Sequence, residues 1–394
     1  MVRLLLLLMC FVLCKGIQSN SLKLEQVLIV SRHNIRTPLT ITLDIYAPKE
    51  RVWPKFKEPA GHLTKKGALL EGYLAEYISE WIANEKLING CPKQEDILIY
   101  SNTLIRTIDT AASFARSAFS CCNITVQHKQ QSTDFDPLFL SIVQNNSEHF
   151  KQQIISSMKK KLKEVNMRET YLELNKILDL ENSDICKKEA LCDLNTVESE
   201  PFYKIQEELD VTGPLRIATI MFDRFIMGYY EGFPLEDVAW GQIKTENQWR
   251  ILSKTLKQYH NVRYNYKPFA VDAAGRLINY MFDIFRNGTP KFVALFGHDA
   301  NVALILCALG FKEFNLEGQY EPYPIGGKLV FQKWTDDEKK YLKVEYFYQS
   351  TLQLRNSVKL SLEEPPQRVL LELNSCKINE NGFCPWEEFM KLNF

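Results

Sequence analysis

Three stretches of the chain share one pattern. Residues 26–31 (Gln-Val-Leu-Ile-Val-Ser), 96–101 (Asp-Ile-Leu-Ile-Tyr-Ser) and 291–296 (Lys-Phe-Val-Ala-Leu-Phe) are short, apolar and rich in β-branched or aromatic side chains. Each leads into polar or charged residues, as a buried strand does when it delivers side chains at its carboxyl end. Each is also followed by helical spacing: over 69–81 after a polar loop, over 105–119, and over 302–309. Strand, loop and helix in alternation predict an α/β fold on a parallel, doubly wound sheet, with ligands beyond the carboxyl ends of the strands.

From about Ser141 to Tyr259 the pattern changes. The chain there is charged and helical in period, with amphipathic segments such as 154–165 and 217–229 and no clear buried strand. Residues 182–199 are polar and read as loop. Leu277, Met281, Ile284 and Phe285 then mark a helix returning to the sheet, and the runs 327–334 and 341–348 predict a late hairpin. The predicted organisation is a signal segment over 1–19, an α/β domain in two parts (20–140 and 260–394), and a mainly helical cap over 141–259 between them.

The first residues change the expected compartment. Arg3, the apolar run 4–14, then Lys15, Gly16 and Ser19 read as a secretory signal peptide. The run is about half of the ~20 residues that a membrane span needs, and no later run reaches that length. The expected mature protein is secreted, with a lysosome-like compartment as the second choice. Removing the segment takes away Cys10 and Cys14 and leaves Cys91, Cys121, Cys122, Cys186, Cys192, Cys307, Cys376 and Cys384. An even number in an exported chain points to disulfides. Cys186–Cys192 and Cys376–Cys384 are expected as local pairs, and the roles of Cys91, Cys121 and Cys122 stay open. Cys307 lies in an apolar run and is expected as a buried thiol. Asn123, Asn145 and Asn287 each open a glycosylation triplet.

The 394 residues suit one large domain with an insertion, or two domains, and a hydrophobic fraction of 45% rules out wholesale disorder. The 48 basic residues are matched by 48 acidic ones, which argues against a nucleic-acid binder and against docking on anionic membranes. No CxxC or HExxH spacing suggests a zinc site, so neither metal nor cofactor is expected. The reading admits a homodimer.

Candidate chemistry concentrates after the predicted strands. Arg32-His33-Asn34-Ile35-Arg36-Thr37-Pro38 places two guanidinium forks, matched to phosphate oxygens, beside an imidazole that is nucleophilic when unprotonated. Arg-His-x-x-Arg-x-Pro would arise by chance in roughly one chain of this length in a thousand. Gly297-His298-Asp299 offers a carboxyl group to protonate a leaving alcohol and a second histidine to bond a phosphoryl oxygen. Arg106 would supply a third cation around a group whose transition state spreads charge over its oxygens.

These residues resemble the histidine acid phosphatases. Arg32, His33, Arg36 and Pro38 match that family's Arg-His-Gly-x-Arg-x-Pro signature, and His298-Asp299 its distant His-Asp pair. Arg106-Thr107 after Ser101-Asn102-Thr103 is similar to its third phosphate-binding arginine. Trp53-Pro54 with Gly61-His62-Leu63-Thr64-Lys65-Lys66-Gly67, and Glu321-Pro322-Tyr323-Pro324, resemble two further segments. The likeness runs from about Val27 to Glu345. Export without a membrane tail is most similar to the insect secreted or venom acid phosphatases.

The resemblance implies a phosphoglycerate-mutase-like fold with an inserted cap, and a two-step hydrolysis of small-molecule phosphomonoesters. His33 would become a phosphohistidine. Arg32, Arg36, Arg106 and His298 would hold the phosphoryl oxygens, and Asp299 would protonate the departing alkoxide. A carboxyl donor with a reference pKa near ~3.9 implies an acidic optimum unless burial raises it. One position departs from the signature: Asn34 replaces the family glycine. Asparagine tolerates the left-handed backbone that such a glycine permits, while its amide could crowd or hydrogen-bond into the phosphate pocket, so activity is expected to be retained but reduced or narrowed. Two rivals stay open. Gly297-His298-Asp299-Ala300-Asn301 is similar to the His-Asp-x-Asn of some phytases, for which Lys159, Lys160 and Lys161 would serve as extra phosphate ligands. A binding protein or allergen that kept the fold and lost catalysis is favoured by Asn34 alone.

Overall fold

Apolar side chains on the first strand point to both faces. In the computed structural model, which describes residues 22–39, 43–130, 136–204, 206–336 and 338–392, strand β1 (Lys23–Arg32) packs Val27 and Ile29 against one layer of helices and Leu28 and Val30 against another. A strand covered on both faces needs a continuous apolar run, which is the pattern its sequence shows. The expected signal segment 1–19 lies outside the described residues.

Helices α1 (Lys65–Asn84) and α2 (Ile105–Ala118) cover the first face through Leu74, Ile78, Trp81 and Phe114. Between them in sequence runs β2 (Ile97–Ser101), and after them the short β3 (Val126–Gln127). The middle of the chain holds α3 (Glu148–Glu164), α4 (Arg168–Leu178), α5 (Asp184–Glu189), the strand pair β4 (Glu200–Phe202) and β5 (Asp210–Thr212), α6 (Pro214–Glu231) and α7 (Glu246–Tyr264). Then α8 (Lys267–Asn287), β6 (Phe292–Gly297) and α9 (Asp299–Leu309) return to the sheet. Leu277, Met281, Phe282 and Phe285 of α8 and Leu304 of α9 bury against its second face. The chain closes with β7 (Lys328–Thr335), β8 (Lys340–Tyr348), α10 (Thr351–Asn356), β9 (Gln367–Leu370), β10 (Cys384–Pro385) and α11 (Trp386–Met390).

The sheet is mixed: the three strands expected from the apolar runs make its parallel part, and the late hairpin adds an antiparallel part. β1 pairs in parallel with β6, β6 with β2, and β2 with β3. On its other edge β1 pairs antiparallel with β7, and the expected hairpin partner β8 extends that half, with β9 and β10 on it. A buried central strand is apolar throughout whichever way its neighbour runs, so direction is not written in the run.

In the middle segment Leu174, Ile177, Phe222, Phe225, Trp249 and Leu252 from α4, α6 and α7 form an apolar cluster that also takes in Ile35, Trp53, Leu70 and Ile325 from outside it. The segment also holds the β4–β5 pair, which the sequence did not announce, and the stretch 182–199 contains α5 where loop was expected. Disulfides join Cys186–Cys192 and Cys376–Cys384, as expected, and also Cys91–Cys122. Cys121 is an exposed free thiol, while Cys307 is free and half-buried. No helix among the described residues is long and apolar enough to cross a membrane.

Candidate active site

The adjacent strands β1 and β6 end side by side and in the same direction, so Arg32 and His33 meet Gly297, His298 and Asp299. The loop after β1 is tied down by its backbone: His33 N–H donates to the Gly297 carbonyl at 3.1 Å, and Gly326 N–H donates to the His33 carbonyl at 2.9 Å. Helix α1 presses on the same loop. A Cβ on Gly67 would lie 2.3 Å from the Ile35 carbonyl, so only glycine fits there. Thr64 caps that helix by accepting from Gly67 N–H at 2.9 Å, and its own N–H donates to Ile35.

His33 is buried, and its Nδ1 lies 2.8 Å from the Asn34 carbonyl. A carbonyl only accepts, so Nδ1 carries the proton and Nε2 of the neutral ring is bare. Desolvation, then the guanidinium groups of Arg106 and Arg32, His298 and Arg36 hold its pKa well below the ordinary histidine range.

The three arginines are not equivalent. Arg32 is buried, and its Nη1 donates to Glu321 Oε1 at 2.7 Å and to the Tyr323 carbonyl at 2.5 Å. Its Nε has no partner among the described residues, and its Nη2 lies 3.5 Å from Asp299 Oδ2. Arg36 grips Asp223 of α6 with both Nη atoms, at 3.2 and 3.1 Å. Arg106, in the first turn of α2, makes no ion pair or side-chain hydrogen bond among the described residues, and its Nε is buried without a partner. Burial, then the like charge of Arg36, lowers its pKa to about 10. An orphaned buried donor costs on the order of 1–3 kcal/mol, so the site is poised to accept an anion.

His298 stands at the start of α9. The Asn102 amide donates to its Nε2 at 3.0 Å, with the amide's orientation set by Thr103 N–H donating to Oδ1 at 2.7 Å. The neutral ring therefore carries its proton on Nδ1. Desolvation and Arg106 hold its pKa well below the histidine range. Asn301 secures the turn: its Oδ1 accepts from His298 N–H at 2.9 Å and its Nδ2 donates to the Phe139 carbonyl at 2.9 Å. Asp299 Oδ1 accepts from Ala300 N–H at 2.9 Å, while Oδ2 faces Arg32 and, at 3.3 Å, His260 Nε2. Burial pushes the Asp299 carboxyl up, but Arg32 and His260 outweigh it and hold it well below the usual carboxylate range.

All six expected residues, Arg32, His33, Arg36, Arg106, His298 and Asp299, thus converge. Asn34 differs from expectation. It is not among the residues with positive φ, and its amide turns away from the pocket, donating to Glu71 Oε2 at 3.0 Å. Glu71 in turn pairs with Lys328 at 2.7 Å, and Lys328 donates to Ser31 Oγ at 2.9 Å, all fully buried. The glycine that the loop needs is Gly326, at φ +67°, where a Cβ would meet the Asn34 amide at 2.4 Å. Sequence reasoning missed Glu71, Lys328, Asp223 and His260, which sit on elements far along the chain with no motif around them. Glu321 lies in a segment covered by the family resemblance that gives it no role of its own.

Residues 23–348 match the family model of the histidine phosphatase superfamily, branch 2. The chain belongs to that family. It is a histidine acid phosphatase, a phosphoric monoester hydrolase. Among curated relatives, a glucose-1-phosphatase of Providencia rettgeri is 40% identical over 94% of this chain and 91% of its own. A phytase of Escherichia coli is 27% identical over 94% and 91% of the two chains. Among solved structures, the Citrobacter braakii phytase superposes with a TM-score of 0.85 at 26% identity, covering 94% of this chain and 96% of that one.

Proposed function

We propose that this histidine acid phosphatase is an exported enzyme that hydrolyses small sugar phosphates through a phosphohistidine at His33, with glucose 1-phosphate as the substrate to test first. The observation that carries the reading is a neutral imidazole with Nδ1–H committed to Asn34, so that bare Nε2 is the nucleophile among three arginines. Arg106, the Nε and Nη2 edge of Arg32, Arg36 and the Nδ1–H of His298 hold the phosphoryl oxygens. Nε2 attacks phosphorus as the bond to the leaving oxygen breaks, and Asp299 gives that oxygen a proton. Water, activated by the carboxylate that remains, then splits the P–N bond and returns the electron pair to Nε2. The bound phosphoryl group offsets the field of the arginines, which lets Asp299 hold a proton that it lacks in the empty site. The block over 141–259 serves as the substrate-selecting cap, joined to the site by Asp223 on Arg36. Export fits Asn123, Asn145 and Asn287, which are all exposed.

The phytase reading rests on the likeness to the two phytases. Against it, Asn301 is spent on the backbone, Lys161 caps the end of α7 by donating to Asn261 O at 2.9 Å, and Lys160 faces Glu164. The binding-protein reading loses its one support, since the Asn34 amide points away from the pocket. His33→Ala should abolish both turnover of glucose 1-phosphate and acid-labile trapping of phosphate on protein nitrogen. Wild-type turnover in that variant would sink the mechanism.

A further inference from the structure

His260 of α7 is buried, and its Nδ1 lies 2.7 Å from the Leu256 carbonyl one turn back. A carbonyl only accepts, so Nδ1 carries a proton. Nε2 faces Asp299 Oδ2 at 3.3 Å. A carboxylate and a bare imidazole nitrogen are both acceptors, so this contact requires one proton between them. Either Nε2–H of an imidazolium donates to the carboxylate, or the carboxyl O–H donates to a neutral ring.

Charged and titratable groups surround the pair on every side. From β1, Arg32 lies 3.5 Å from the same Oδ2, with Glu321 on its far side. From the loop ahead of β7, the Tyr323 ring stands edge-on at 5.2 Å between centroids. On α7 itself, Tyr259 and Tyr264 flank the ring at 5.9 and 5.8 Å, and Arg263 is paired with Glu208 at 2.9 Å. Tyr259 reaches Asp210, which also pairs with Arg216. From α9, His298 completes the surroundings, and burial raises all three tyrosine pKa values, so they stay neutral.

We infer that His260 and Asp299 form one proton reservoir, in which His260 stores the proton and Asp299 delivers it to the leaving oxygen. The inference rests on reading Asp299 as the donor. Arg32, 3.5 Å from Oδ2, favours the carboxylate form of Asp299 while no phosphate ester is bound. A bound phosphate ester weakens that field, and the proton shifts to Oδ2. When the P–O bond breaks, the leaving oxygen takes the bond's electron pair and the Oδ2 proton, and departs as the alcohol. When water attacks the phosphohistidine, one water proton returns to the pair and the P–N electrons return to His33. His260 is therefore a positioning and storage residue that never touches the substrate, held by a helix outside the sheet.

His260→Gln tests this, because glutamine can still donate an amide hydrogen to Asp299 but has no proton to release. On glucose 1-phosphate kcat should fall about 30- to 100-fold, with KM nearly unchanged and the high-pH decline of kcat beginning at lower pH. On p-nitrophenyl phosphate, whose leaving group departs without a proton, the fall should be under about threefold. Equal losses on both substrates with an unshifted pH profile, or no loss on either, overturn the inference. Wild-type turnover of p-nitrophenyl phosphate and its loss in His33→Ala test the underlying phosphatase reading separately. Should the variant fail to fold, nitrogen NMR of the wild-type ring decides. A proton shared with Asp299 at pH 5 supports the reservoir, and a bare Nε2 beside an ionised Asp299 overturns it.

Discussion

His33 is a buried imidazole and His298 a half-buried one; desolvation and Arg106 keep both neutral, and this links stability to pH. Both folded-state pKa values lie below the ordinary 6.5, so beneath that pH the unfolded chain binds more protons than the native one. Stability therefore rises with pH through the acid range up to about 6.5, by at most about 1.4 kcal/mol per pH unit for each ring. Asp299 acts in a separate window: its depressed pKa adds stability that is present above about 3.9 and lost only as pH falls through its lower folded value. In His33→Phe, urea unfolding between about pH 4.5 and 6 should show a shallower slope, the share of one ring. An unchanged slope would mean that His33 is protonated in the native protein. Asn34 makes a different prediction. Because its amide bonds Glu71 and not the pocket, Asn34→Gly should leave kcat on glucose 1-phosphate within about threefold and lower stability by about 1–2 kcal/mol. A large gain in turnover would instead place the amide in the substrate's way. The six reacting residues were legible because the Arg-His-x-x-Arg spacing and the His-Asp pair sit just past apolar runs. The direction of the Asn34 side chain was not, since it depends on Gly326, some three hundred positions away.

Where α1, β1 and β7 meet, one buried ion pair supports the loop that carries the nucleophile. Glu71 reads from sequence as one more polar position of an amphipathic helix, and Lys328 as the polar start of a late strand. Only the antiparallel pairing of β7 with β1 puts Lys328 opposite Ser31, facing α1. Strand direction and helix rotation are set by tertiary packing, and so the pair, like Asp223 on α6 and His260 on α7, had no local signal. The existence of β1, β2, β6 and their helices did have one, because a run buried on both faces cannot be polar. Removing one partner of a buried pair strands the other charge. Glu71→Gln should therefore destabilise the protein by about 3–5 kcal/mol in chemical unfolding, and Glu71→Gln/Lys328→Met should recover much of that. If the double variant is no more stable than the single one, Lys328 is not the stranded group.

Across the whole molecule, the balance of 48 basic and 48 acidic residues is repeated inside the site. Arg36 faces Asp223, Arg32 faces Glu321, and Asp299 lies between Arg32 and the field of Arg106, while both histidines are neutral. The empty pocket thus carries strong local fields but little net charge to project into solvent. A ligand with one phosphate can exchange water for the orphaned donors of Arg32 and Arg106. A ligand with six brings five more phosphates past acidic neighbours. Long-range steering is a property of net potential and is screened over about 8–10 Å at physiological salt. Raising NaCl from about 20 to 200 mM should therefore change kcat/KM for glucose 1-phosphate by less than about threefold, and kcat/KM for phytate should be at least about tenfold lower at every salt concentration. Steady-state assays on both substrates check this. A phytate preference, or a steep fall with salt on the sugar phosphate, would show that cations outside the described pocket take part in binding, with Lys159 and Lys160 on the exposed face of α3 the first to replace.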